Sequence, residues 1–228
     1  FNLAGPESVK NKSQFVIIDR LNLETGKKAM RMSDYNTAYI YFDTGIRFLR
    51  EKHWEENYEL SLELSDLAAK CALTNGDIAR FKLSSQQVVE NARSFEDKLN
   101  VVYLATCAQA YSSDLPKSIK NGLDILSKLD ITLPQKSMEI CVEEMTVLLS
   151  CYSDEDILNT RRMSDPRMII AMKFLGKLEV GMSQIMPKSV PCVTLTIIQL
   201  SLLYGMSPVS PIGFVHFGSY LAKLGNIN

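Results

Sequence analysis

The sequence predicts an all-α chain built of antiparallel helix pairs stacked into a right-handed superhelix. Three observations point there. Small residues at Gly26, Ala38 and Gly45 stand beside a large aromatic, Phe42, over a stretch broken only by Ser33-Asp34. Two helices that cross closely need this spacing, because small residues let the backbones approach and the ring fills the remaining wedge. Apolar residues recur at helical period in nearly every segment. Finally, only 11 Gly and 8 Pro interrupt 228 residues, and the prolines concentrate between apolar runs.

The first stretch, 1–12, is polar, contains Gly5-Pro6 and reads as a linker or frayed terminus. Asn11-Lys12-Ser13 has the form of a glycosylation sequon. Residues 13–228 read as one α-helical repeat domain. A helix is expected from about Ser13 to Arg31, and Ser33-Asp34 can cap a second that reaches Arg50. Ala38, Phe42, Gly45, Ile46 and Leu49 fall on one side of that second helix. Trp54 should open a third, with Leu60, Leu64, Leu67 and Cys71 as a stripe facing a neighbour. Gly76 is placed to end it. Further helices are expected over Ile78–Arg93, Phe95–Ser112 and Pro116–Leu129.

The turns Met32-Ser33-Asp34, Asn75-Gly76-Asp77 and Ser113-Asp114 look alike. Their spacing is irregular and longer than the period of about 34 residues typical of tetratricopeptide repeats, so these are degenerate TPR-like pairs. Such repeats build binding surfaces rather than active sites.

Leu133-Pro134 breaks the pattern. A helix resumes near Ser137 with Val142, Met145 and Leu149 on one face. Asp154-Glu155-Asp156 reads as the solvated first turn of a helix rather than a cation site. Ser164-Asp165-Pro166 is a strong helix start, for a helix running to about Ile185. Pro187 and Pro191 frame the next connection.

From Ser189 to Ala222 there is no Asp, Glu, Lys or Arg. Membrane insertion would need about 20 continuous apolar residues. Thr194, Thr196, Gln199 and Ser201 interrupt the run, and Gly205-Met206-Ser207-Pro208 breaks it. The expectation is therefore a buried helical hairpin, with Leu195, Ile198 and Leu202 on one helix and Phe214, Phe217, Leu221 and Leu224 on the other. A repeat end cannot bury both faces of its last helix. Phe214, Phe217 and Leu221 are accordingly the candidate partner interface.

Composition limits the function classes. The 25 basic and 26 acidic residues leave a formal charge of −1, without the clustered positive charge that nucleic acid requires. The five cysteines, Cys71, Cys107, Cys141, Cys151 and Cys192, mostly lie inside amphipathic patterns. They read as buried thiols in a reducing compartment such as the cytoplasm. With no CxxC pair and only His53 and His216, a zinc site is not expected. No secretory signal is visible. A start at Phe1 suggests a fragment or a processed product, a start that is also compatible with a lost targeting peptide.

No GxGxxG, GxxxxGK[ST] or GxSxG motif is present. Glu55-Glu56 and Glu143-Glu144 are adjacent, so on a helix they point apart and do not form an acid/base pair. Six of ten methionines follow position 160, a composition found in irregular cores and in adaptable docking surfaces. Arg161, Arg162 and Arg167 cluster near a helix start as a solvated basic turn. No catalytic, cofactor-binding or metal-ligating residue is assigned. The structural crossing is assigned to Gly26, Ala38, Phe42 and Gly45.

Five segments carry a family resemblance: Leu21-Asn-Leu-Glu-Thr-Gly-Lys-Lys-Ala29, Trp54-Glu-Glu-Asn-Tyr-Glu-Leu-Ser-Leu-Glu-Leu64, Asn75-Gly-Asp77, Met163-Ser-Asp-Pro166 and Tyr204-Gly-Met-Ser-Pro-Val-Ser210. With these the chain resembles the central helical region of multi-sensor signal transduction multi-kinases. In that family a kinase-like domain and a STAND-type ATPase precede a tetratricopeptide-like region, and a GAF domain and an output domain follow it. None of the five segments is catalytic there. The resemblance implies a non-catalytic protein-interaction and relay module between an ATPase switch and a signalling output. Its partners would be other domains of the same chain, a second copy or another subunit. From the residues alone, a small-molecule-sensing helical domain and a free-standing TPR-like scaffold remain alternatives.

Overall fold

A computed structural model describes residues 5–8, 12–49, 51–111 and 114–225. The sequon's Asn11, the helix ends at Arg50 and Ser112, the Ser113 half of the third turn and most of the leading linker lie outside the described residues. Among the described residues the chain is all-helical, with twelve α-helices, two short 3-10 helices and no strand. They divide into two compact units, one reaching Ala105 and one beginning at Thr106.

The N-terminal unit holds α1 (Lys12–Arg31), α2 (Tyr35–Leu49), α3 (His53–Glu56), α4 (Tyr58–Thr74), α5 (Ile78–Asn91) and most of α6 (Phe95–Tyr111). α1 packs on α2, α2 on α4 and α4 on α5. α4 is buried along Ser61, Leu64, Ser65, Ala68, Ala69, Cys71 and Ala72. These mostly small side chains let α2 and α5 approach it from two sides. The expected four-residue stripe was therefore too narrow: Leu64 and Cys71 are fully buried, Leu60 and Leu67 only in part.

The single helix expected to open at Trp54 is two helices, broken at Asn57. The Ser61 hydroxyl donates to the carbonyls of Asn57 and His53 at 2.9 and 3.0 Å, and it lies 2.8 Å from His53 Nδ1. Side-chain bonding of this kind offers the chain an alternative to continuous helix.

The similar turns have a common chemistry. After α4, Gly76 adopts φ +75°. Its N–H donates to the Leu73 carbonyl at 3.0 Å, and the Asp77 N–H donates to the Ala72 carbonyl at 2.9 Å. That is a Schellman ending. The Asp77 carboxylate then caps α5 by accepting from the Arg80 N–H at 2.9 Å. After α1 the same pair of bonds runs from Ser33 to Met30 and from Asp34 to Ala29. There Ser33 holds φ +62°, and Asp34 caps α2 through the Thr37 N–H at 3.0 Å. At the third turn the Asp114 N–H likewise reaches back five residues, to the Gln109 carbonyl.

The C-terminal unit holds α7 (Leu115–Lys128), α8 (Met138–Leu149), α9 (Asp154–Leu158), α10 (Pro166–Ile185), α11 (Val190–Tyr204) and α12 (Ser210–Lys223). The acidic run Asp154–Asp156 is the first turn of α9, closed by a reciprocal Ser153–Asp156 capping box. Asp165 caps α10 as its sequence indicates. α10 lies against α7 and α11, and α11 against α8 and α12. α11 is buried without interruption from Val190 to Ile198. Its buried hydroxyls satisfy themselves on carbonyls one turn back: Thr194 on Val190, Thr196 on Cys192 and Ser201 on Ile197. No described helix is long and apolar enough to cross a membrane.

The α11–α12 turn is fixed from outside. Gly205 has φ +110°, and a Cβ there would stand 2.7 Å from the Arg161 carbonyl oxygen. Beside it, the Met206 N–H donates to the Arg161 carbonyl at 2.8 Å, and the Met163 N–H donates to the Met206 carbonyl at 2.9 Å. The Ser201 and Ser210 hydroxyl oxygens lie 2.7 Å apart, and the Ser207 N–H donates to the Ser210 oxygen at 2.9 Å.

Candidate functional site

An open groove of about 1080 Å³ lies in the C-terminal unit. It forms where connections replace helices. Seven residues, 131–137, run without secondary structure between α7 and α8, because Pro134 lacks an amide donor and disfavours helix in the residue before it. On the other side α10 ends at Ile185, and Met186-Pro187-Lys188-Ser189 leads into α11. The end of α12 contributes Tyr220 and Lys223.

The floor is apolar: Ile131, Leu133, Met138, Met182, Pro191 and Cys192 line it, and Ile131, Met182, Pro191 and Cys192 are buried. Met186 is exposed at the edge. The rim is charged, with Lys136, Lys188, Lys223 and Glu139. Lys136 Nζ is committed to Glu144, at 2.6 and 2.8 Å from its two oxygens. Lys223 Nζ stands 5.9 Å from the centre of the Tyr220 ring. An apolar floor with a few polar groups at the edge is the ordinary composition of a ligand site.

Behind the floor lies a cluster of Cys141, Val142, Met145, Cys192, Leu195, Ile198 and Tyr220. Cys141 Sγ and Cys192 Sγ are 3.6 Å apart, and both thiols are free. Burial, then the hydrogen bond with Cys192, pushes the Cys141 thiol up to about 12. The Cys192 thiol also donates to the Lys136 carbonyl at 3.4 Å, which ties α11 to the extended wall of the groove.

Phe214, Phe217 and Leu221, expected on one uncovered face, are half-buried and packed against this same cluster. Val215 of α12 is exposed. The reason is α8. It covers α12 on the side that a repeat end would leave open, and it lies some sixty residues earlier in the chain, beyond the reach of local periodicity. α12 also meets α10, where His216 Nδ1 stands 2.9 Å from Glu179 Oε1. The approach is not that of a hydrogen bond, so the contact is an ion pair when the ring is protonated. Burial raises the Glu179 carboxyl above its ordinary value, and His216 opposes that rise.

In the N-terminal unit the structure brings Gly26 against Phe42. A Cβ at Gly26 would stand 2.8 Å from two atoms of that ring, and Ala38 and Phe42 are fully buried. Gly45 faces a different pair, Leu64 of α4 and Asn22 of α1, at 3.1 and 3.4 Å from a built Cβ. It therefore serves three helices rather than one crossing. Nearby, Lys27 of α1 reaches Glu63 of α4 at 2.8 Å.

Among the described residues no group of three His, Cys, Asp or Glu side chains could hold a metal ion. His53 is engaged with Ser61. Of the adjacent pair Glu143-Glu144, Glu144 binds Lys136 while Glu143 is exposed. Sequence reasoning missed the groove. Its available signal was the coincidence of two proline-bearing connections, at 131–137 and 186–191, with Met138, Met182 and Met186 beside them. No protein-family model matches this chain, and no curated protein or solved structure matches it either.

Proposed function

We propose that this chain is a non-catalytic interaction and relay module, and that the groove of its C-terminal unit is where it receives its partner or ligand. The observation that carries this reading is the groove itself, with its apolar, methionine-containing floor and lysine-bearing rim. The helix pairs are degenerate TPR-like repeats of a right-handed superhelix. Support comes from the shared chemistry of the turns at Asp34, Asp77 and Asp114, each of whose N–H groups reaches back five residues.

The setting is that of the signalling ATPases the sequence resembles, between a nucleotide-driven switch and an output domain, in a reducing compartment such as the cytoplasm. The quoted segments behave as structural parts. Lys27 in the first pairs with Glu63 in the second, and Met163 in the fourth pairs with Met206 in the fifth. Such contacts hold a scaffold together without performing chemistry.

A second reading, a small-molecule sensor, is favoured by the groove's apolar floor with a few polar groups at its edge. The two are separated by thermal-shift screening of the purified chain against a metabolite library. Under the sensor reading a compound raises the melting temperature of the wild type but not of Met182→Glu. Under the relay reading no compound does so, and the neighbouring gene segments encode a phosphate-binding loop upstream and a GAF or kinase signature downstream. ATP hydrolysis by the purified chain would contradict both.

A further inference from the structure

We propose that Cys192 and Cys141 are a redox-active dithiol in the wall of the groove, which closes to a disulfide when a peroxide reaches Cys192. Three observations carry it. The sulfurs are 3.6 Å apart, so an S–S bond of about 2.05 Å needs only a modest approach. The two residues stand on different helices, α8 and α11, 51 positions apart in the chain. Cys192 lines the groove and Cys141 does not, so an oxidant entering there meets one sulfur first and finds the second behind it.

The chemistry balances with hydrogen peroxide as oxidant. Cys192 gives up its thiol proton as its sulfur attacks the peroxide. An S–O bond forms, the O–O bond breaks, and the departing hydroxide takes that proton and leaves as the first water. The resulting sulfenic acid is attacked by Cys141, the S–S bond forms as the S–O bond breaks, and the second water carries away the Cys141 proton. Two thiols are oxidised and one peroxide is reduced to two waters. A thiol reductant reverses the bond by exchange.

The consequence for the groove rests on the binding reading above. The Cys192 S–H that donates to the Lys136 carbonyl exists only in the dithiol. Oxidation removes that donor and draws the first turn of α11 toward α8, so the wall formed by residues 131–137 loses its tether. The oxidised chain should bind an apolar anionic probe, 1-anilinonaphthalene-8-sulfonate, with several-fold altered affinity.

The test is peptide mapping by mass spectrometry after stoichiometric peroxide, on the folded full chain. The expected result is a Cys141–Cys192 linkage within the monomer, a mass lower by two hydrogens, and full reversal by dithiothreitol. In Cys141→Ser, Cys192 should stop at the sulfenic acid and be trapped by dimedone. In Cys192→Ser, Cys141 should stay a free thiol. The wild-type map needs no variant, so a folding failure of either serine protein leaves the test intact. Oxidation confined to Cys151 or Cys107, with Cys141 and Cys192 both free, overturns the dithiol. Formation of the linkage with unchanged probe affinity overturns the gating and leaves the dithiol. A probe that binds away from the groove overturns the binding reading and leaves the dithiol untouched.

Discussion

Asp19 is a costly side chain in the N-terminal unit, and replacing it should stabilise the protein. It lies on α1, one turn after Phe15, which clusters with Ile18 and Phe48. The residue has no solvent exposure, and neither carboxylate oxygen has a hydrogen-bond partner among the described residues. Burial raises its carboxyl from 3.8 to about 7. At about 1.4 kcal/mol per tenfold change in proton affinity, ionising it in the folded chain at pH 8 costs on the order of 4 kcal/mol.

The sign follows from the proton count. Between pH 4 and 7 the folded state holds a proton that the unfolded state has released, so stability falls as pH rises through that window and levels off above it. Asp19→Asn removes the ionisation while keeping the shape. It should gain roughly 2–4 kcal/mol at pH 8, little or nothing at pH 4, and flatten the profile between. Urea unfolding of both proteins at pH 4, 6 and 8 measures this. An Asn variant less stable than wild type at pH 8, with the pH profile retained, would refute the reasoning, because it would mean the carboxylate is ionised and partnered.

Three further substitutions probe particular contacts. Gly45→Leu should cost about 1–3 kcal/mol by overpacking against Leu64, whose methyls already stand 3.1 and 3.2 Å from a built Cβ; a neutral denaturant melt would misplace that contact. Ser33→Gly should gain about 0.5–1 kcal/mol, because φ +62° penalises a side chain that the equivalent Gly76 avoids; no gain in thermal melts would mean the turn is not held there. Gly205→Ala should cost about 2 kcal/mol or more, since φ +110° and the Arg161 carbonyl both oppose a Cβ; preserved stability would show that the 161–163 strap is not seated on the turn.

Much of the fold was legible because it is local. Helical period, Asp34 and Asp165 as caps, Gly76 as a terminator and Pro166 as a first-turn residue are decided within a few residues of themselves. The Gly26–Phe42 contact was legible because a three-residue turn between α1 and α2 leaves those helices little choice but to lie side by side. What was not legible depends on distant neighbours. α8 covers Phe214, Phe217 and Leu221, and no periodicity within α12 announces that. The break at Asn57 depends on Ser61 and His53 bonding across it, in a stretch with no Gly or Pro to mark it. The groove is made by segments near residues 135, 187 and 221, which come together only through the packing of α10, α11 and α12. The ionisation of Asp19 depends on the absence of a counterion, which a sequence does not display.

The central claim is that the groove receives the ligand or partner, and methionine-methyl NMR tests it most directly. Ten methionines are spread along the chain, and Met138, Met182 and Met186 border the groove. On titration with 1-anilinonaphthalene-8-sulfonate, those three methyl signals should move together along one saturating curve, while Met32 and Met145 stay still. Movement confined to Met32 or other sites outside the groove, with the three groove methyls unchanged, would contradict the account.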